Sequence, residues 1–151
     1  MSEKAKKIVC GTAFALYIVA VFYFPLFYQL DFAFVKSVYN DLSLARLYML
    51  EQVNYIPLRF IFNAAAYTPL SWCVKVLGNL LFFAPAPFFT RYLFEDFKEC
   101  KVIRYMIFMA EITITIELGQ WLLLCPCDID DVILKLVGTL ISFFIAKKVI
   151  K

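Results

Sequence analysis

Apolar runs alternate with polar stretches along the chain, and their lengths predict the elements. The first run, Ile8 to Leu30, follows Lys4, Lys6 and Lys7. It is long enough at 1.5 Å per residue to cross a hydrocarbon core of roughly 30 Å. No small-residue cleavage site follows it, so it reads as a retained transmembrane helix that Pro25 kinks or ends. Three further runs are read as spans: Leu70 to Phe94, Val102 to Leu124, and Val132 to about Ala146. Pro85 and Pro87 predict a kink near the far end of the second. Between the first two spans the pattern is mixed. Apolar residues at 35, 38, 39, 42, 47, 50 and 53 have near-helical spacing, which predicts one amphipathic helix over Val35 to Val53 lying in the interface. Pro57 breaks the chain, and residues 60 to 68 are too few to cross, a length that allows either an interfacial course or a dip into the membrane and back. The expected fold is an all-α membrane protein: a single domain over 1–151, with four transmembrane helices and an extracytoplasmic interfacial or re-entrant segment between the first and second.

Charge orients this arrangement. Ten of the fifteen basic residues lie at the N-terminus, in the mixed-charge loop from Arg91 to Arg104, and at Lys147, Lys148 and Lys151. The positive-inside bias therefore places both termini in the cytoplasm of a multi-pass membrane protein. The segment 31 to 69 and the turn Asp128-Ile129-Asp130-Asp131 then share the outer face. Composition agrees: 64% of residues are hydrophobic, 19% aromatic, and the mean hydropathy is +0.80. A net charge of +3 without a basic stripe gives no nucleic-acid surface. The chain has no histidine, which excludes Ser-His and Cys-His nucleophile pairs and imidazole ligands. Its five cysteines make no disulfide framework, and Cys125 and Cys127 are too close in sequence for an unstrained bridge. They read as thiols in a tight turn.

The candidate chemistry lies in polar residues inside the spans. Thr113, Glu117 and Gln120 share one helix face, as do Lys135, Gly138, Thr139 and Ser142, a small and polar stripe suited to close packing. Lys75 and Asn79 are one turn apart. At 1.5 Å per residue, Asn79 lies about 13 Å, Glu117 about 12 Å, Gln120 about 7 Å and Lys135 about 6 Å below the outer ends of their spans. Ionised groups at such depths cost about 2.5–3.5 kcal/mol or more on a lone helix, so these groups should face one another. Asp128, Asp130 and Asp131 can cap the fourth helix, and Asp131 has i, i+4 spacing for a pair with Lys135. Oxygen ligands would allow a divalent metal at Asp128, Asp130 and Asp131, although the Gly and distal Glu of a dedicated Ca²⁺ loop are absent. No other cofactor is expected.

The run of motifs Asn54-x-x-Pro57-x-Arg59, Asn79-Leu-Leu-Phe-Phe-Ala-Pro85, Glu117-x-x-Gln120 and Asp128-Ile-Asp130-Asp131 with Gly138 resembles the VanZ-like family of small bacterial membrane proteins, named for a member linked to low-level teicoplanin resistance. The resemblance covers 54 to 138, with the VanZ-like region taken as about 54–146. The resemblance implies a helical bundle in a bacterial plasma membrane with a role touching the cell envelope. This chain has Pro87, Cys125 and Lys135 where the family pattern tends to have Gly, Arg and Asn. Arg59, Lys75 or Lys135 can supply the charge of the missing arginine.

The leading expectation is an accessory protein whose outward polar pocket binds a lipid-linked wall precursor, an envelope lipid head group or a glycopeptide. Asn54, Arg59, Lys75, Asn79, Gln120, Asp128 and Lys135 are its candidate binding residues. The alternative is an intramembrane hydrolase or transferase with Glu117 as general base and Asp130 or Asp131 as acid or metal ligand. A proton relay or transporter is a third reading, resting on Glu111 alone.

Overall fold

The computed structural model describes residues 2–28, 30–63 and 66–150, and the side chains of all of these except Ile61. The long helix α1 (Glu3–Phe27) is capped by Ser2, whose hydroxyl accepts the Ala5 N–H, and it carries Pro25 in its last turns. Two short helices follow, α2 (Phe32–Tyr39) and α3 (Leu42–Glu51). This corrects the expected single helix over 35–53. Asp31 and Asp41 each turn back to cap a new start, and Asp41 accepts from both Ser43 N and Leu44 N, so the backbone breaks at Asn40–Asp41.

After strand β1 (Val53–Asn54) comes the one-turn helix α4 (Arg59–Phe62). Residues 64 and 65 of the expected re-entrant stretch lie outside the described residues, and the described remainder is not a crossing element. Helix α5 (Pro69–Phe82) starts with Thr68 as cap and Pro69 at its first position. It breaks at residues 83–85 and resumes as α6 (Ala86–Leu93). The two prolines thus place the kink where the sequence predicts it. Helix α7 (Glu95–Lys98) is a single turn leading to α8 (Val102–Leu122). Strand β2 (Cys127–Asp128) and α9 (Ile129–Val149) complete the chain.

Glu3–Phe27 and the kinked Pro69–Leu93 are long and apolar enough to cross a membrane. Helices α8 and α9 have 21 residues each, about 31 Å at the standard rise, but both carry charged residues along their length. The contacts give the directions of the four long elements. Leu26 meets Gly119 at one end, and the Phe14 ring packs against Phe89, so α1 runs with α8 and against α5–α6. Lys75 meets Asp128 and Arg91 lies over the Phe143 ring, so α5–α6 runs with α9.

Close packing around α9 holds the bundle together. A Cβ on Gly138 would stand 1.7 Å from the Leu80 carbonyl oxygen, so the two backbones touch there and only glycine fits. Thr139 and Ser142 are buried on the same face, with their hydroxyls bonded back to Lys135 O and Thr139 O. Tyr105, Met109, Ile116 and Phe143 form the main core with Val21, Phe83 and Ala86. Arg91, expected in a polar loop, is instead buried in α6. It donates to Phe97 O and lies over the Phe143 ring, a placement made possible by the flat, weakly hydrated guanidinium.

The α2–α3 pair is docked by the end of α8. Tyr39 Oη donates to Leu122 O at 2.7 Å, and Trp121 Nε1 donates to Met49 O at 2.9 Å. Leu124 adopts a left-handed conformation with φ 60°, while Leu124 N bonds Trp121 O and Cys125 N bonds Gln120 O. This is the Schellman termination normally made by glycine. Leucine holds the position because its side chain packs into a second cluster with Val38 and Ala45.

Candidate functional site

Asp128 stands where four pieces of the chain meet. Strands β1 and β2 pair in parallel, Val53 with Cys127 and Asn54 with Asp128, which brings the segment between α1 and α5 against the start of α9. Oδ1 of Asp128 accepts the Asp130 N–H at 2.9 Å, capping α9, and also the Asn54 Nδ2 at 2.7 Å. Oδ2 accepts from Lys75 Nζ at 2.6 Å. Burial by itself would raise the Asp128 carboxyl, but the Lys75 ammonium and the donors at Asp130 and Asn54 outweigh it and hold the group below its ordinary value.

One helical turn of α5 and one of α9 extend the network inward. Asn79 Nδ2 donates to Asp131 Oδ1 at 2.9 Å, and Lys75 Nζ lies 3.5 Å from the same oxygen and 4.5 Å from the Phe60 ring centre. Glu117 of α8 reaches across to α9. Its Oε1 pairs with Lys135 Nζ at 2.5 Å, and its Oε2 accepts the Asp128 N–H at 3.3 Å. Both side chains of this pair are almost wholly buried, at 3% and 4% exposure, so each depends on the other. Lys135 does not form the i, i+4 pair with Asp131, because α8 presents a nearer carboxylate on the inner face. Asp130, also buried, accepts the N–H groups of Phe60 at 2.7 Å and of Leu58. Leu58 is in a left-handed conformation with φ 61°, which aims its N–H at that carboxylate.

The structure therefore brings together Asn54, Lys75, Asn79, Glu117, Asp128, Asp130, Asp131 and Lys135. Two sequence candidates stand apart. Arg59 is exposed at the start of α4 and makes no ion pair with the described residues. Gln120 turns toward α1, its Nε2 donating to Pro25 O at 3.3 Å. The parts that sequence reasoning missed are backbone donors, namely Leu58 N, Phe60 N and Asp128 N, together with the Phe60 ring. No residue type marks a backbone N–H as a binding group, and only Pro57 signals that the segment before α4 is irregular.

Beside Glu117 and Asp128 opens a cavity of about 240 Å³. Asn54 and Cys127 complete its polar end, while Ile114, Leu118 and Val132 form apolar walls. Four carboxylates against two ammonium groups leave the cluster with a formal excess of two negative charges. Among the described residues, no group of three or more Asp, Glu, Cys or His side chains converges as a metal would need. The oxygens of Asp128 and Asp130 are turned toward hydrogen-bond donors. Burial pushes the thiols of Cys125 and Cys127 up, and Glu117 and Asp128 add to this at Cys127, so neither is activated as a nucleophile.

A family model described as VanZ/LLP1 matches residues 14–151, nearly the whole chain. The chain belongs to the VanZ/LLP1 family. The match begins well before the region 54–146 taken from motifs alone and takes in the later part of α1, which packs against α6 and α8. Membership of VanZ/LLP1 associates the protein in general terms with the cell envelope and antibiotic resistance. No curated protein and no solved structure matches the chain.

Proposed function

We propose that this VanZ/LLP1 protein is a multi-pass accessory protein of the bacterial plasma membrane. In this reading four spans, α1, α5–α6, α8 and α9, place both termini in the cytoplasm, and the Asp128 site opens outward to bind a lipid-linked wall precursor or a glycopeptide. The observation that carries the reading is the cavity of about 240 Å³, apolar along its walls and ending at Glu117, Asp128 and Asn54. Such a shape suits an amphiphile whose head offers hydroxyl, amide or ammonium donors. The lysines do not face an anionic ligand in this arrangement, since Lys75 and Lys135 are paired with carboxylates of the protein.

An intramembrane hydrolase using Glu117 as base draws less support. Both Glu117 oxygens are engaged, one by Lys135 and the other by Asp128 N, and Asp130 is occupied with the backbone before α4. Ile114→Trp and Val132→Trp fill the cavity without touching any ion pair. Expressed in a susceptible bacterium, each should abolish the teicoplanin tolerance conferred by the wild type while reaching the membrane at the same level. Full tolerance in both variants would refute binding in this cavity.

A further inference from the structure

At the opposite end of the bundle, the kink between α5 and α6 leaves a second cavity, of about 260 Å³, between α1, α6 and α8. Phe14, Val21, Phe83, Ala86 and Met109 line it, and its surface is wholly apolar. The two polar side chains nearby are satisfied elsewhere, with Tyr17 Oη donating to Phe82 O at 3.0 Å and Thr90 Oγ1 to Ala86 O at 2.9 Å. A dry apolar cavity of about 150 Å³ already binds benzene, so this larger one can take a length of hydrocarbon chain.

Phe97 and Phe108 also line a neighbouring cavity of about 510 Å³, whose remaining walls are Asp96, Cys100 and Arg104. Phe97 and Phe108 thus border both a hydrocarbon slot and a polar chamber with one cation and one anion. Arg104 and Asp96 are both exposed and form no ion pair with each other or with other described residues. Lys98 is itself paired with Glu95 at 2.9 Å. A guanidinium facing a phosphate and a carboxylate facing an ammonium complement a zwitterionic head group, whereas a purely anionic head would meet Asp96 unfavourably.

We propose that this pair of cavities is a binding site for a phospholipid with a phosphoethanolamine head, its acyl chain between α1, α6 and α8 and its head between Asp96 and Arg104. The site is distinct from the Asp128 cluster, and its lipid enters from the leaflet at the basic end of the bundle.

Native mass spectrometry of the full chain, purified in detergent and mixed with phosphatidylethanolamine, phosphatidylglycerol or phosphatidylcholine, tests the proposal. The wild type should retain phosphatidylethanolamine about tenfold more than either competitor, the ratio that about one charge-assisted hydrogen bond provides. Asp96→Asn should bring phosphatidylglycerol level with phosphatidylethanolamine, and Arg104→Gln should lower retention of both. Both substitutions are at exposed positions and leave the helix packing intact. Equal retention of all three lipids by the wild type would overturn the proposal, as would a preference unchanged in both variants.

Discussion

Replacing Lys135 by Met should destabilise the protein severely, because it strands Glu117 in the interior without its counter-charge. The pair is 2.5 Å apart with 4% and 3% of the two side chains exposed, so solvent cannot take over the lost interaction. Removing one partner of such a pair costs about 3–5 kcal/mol. At this chain length that corresponds to a fall in Tm of about 6–20 °C. Glu117→Gln in the Lys135→Met background removes the stranded charge. The glutamine carbonyl can still accept the Asp128 N–H now bound at 3.3 Å, so the double variant should lose only about 0–1.5 kcal/mol. Thermal unfolding in detergent can be followed by the fluorescence of the two tryptophans, Trp72 and Trp121. The double-mutant cycle should give a coupling of at least about 2 kcal/mol. A single variant that loses less than about 0.5 kcal/mol, or a double variant that loses the sum of the singles, would refute the reading of a buried and mutually dependent pair.

Gly138→Ala puts a methyl group where the Leu80 carbonyl stands and should part α5 from α9, with folded protein on size exclusion falling well below wild type. The helix-termination rule by itself would favour Leu124→Gly, by about 1 kcal/mol of relieved backbone strain. Loss of the buried leucine from the Val38–Ala45 cluster costs about 2–5 kcal/mol, so the variant should be less stable in the same thermal assay. Asp128 is held below its ordinary carboxyl value in the folded protein, so its contribution is full above the unfolded value of about 3.9 and is lost as pH falls through the folded value. The Tm gap between wild type and Asp128→Asn should be largest near pH 6 and close as the pH is lowered toward 3; a gap independent of pH would contradict this electrostatic assignment.

Much of the architecture was legible because long helices are written in long apolar runs. The start of α9 carries a readable cap in Asp128, and the Pro85–Pro87 kink follows from the missing N–H groups, whereas the caps Ser2 and Thr68 emerge only in the structure. The break between α2 and α3 was hidden because the apolar spacing continues across it, while the competing signal, the Asp41 cap, is local. Arg91 was misplaced since a charge at the end of a span reads as a loop residue until an aromatic ring and a carbonyl are shown to receive it.

By itself, then, the sequence determined the all-α class, the kinked helix, the gathering of polar residues at one end of the apolar runs, and the family through its spaced motifs. Helical periodicity could say that Glu117 and Gln120 share a face, but not that one would turn to Lys135 and the other to Pro25. Only the tertiary structure decided partners, because pairing depends on which helix stands opposite and how close it comes. The contact of Gly138 with Leu80 sets that approach, and the two-residue pairing of β1 with β2 brings Asn54 to Asp128 across 74 residues of sequence.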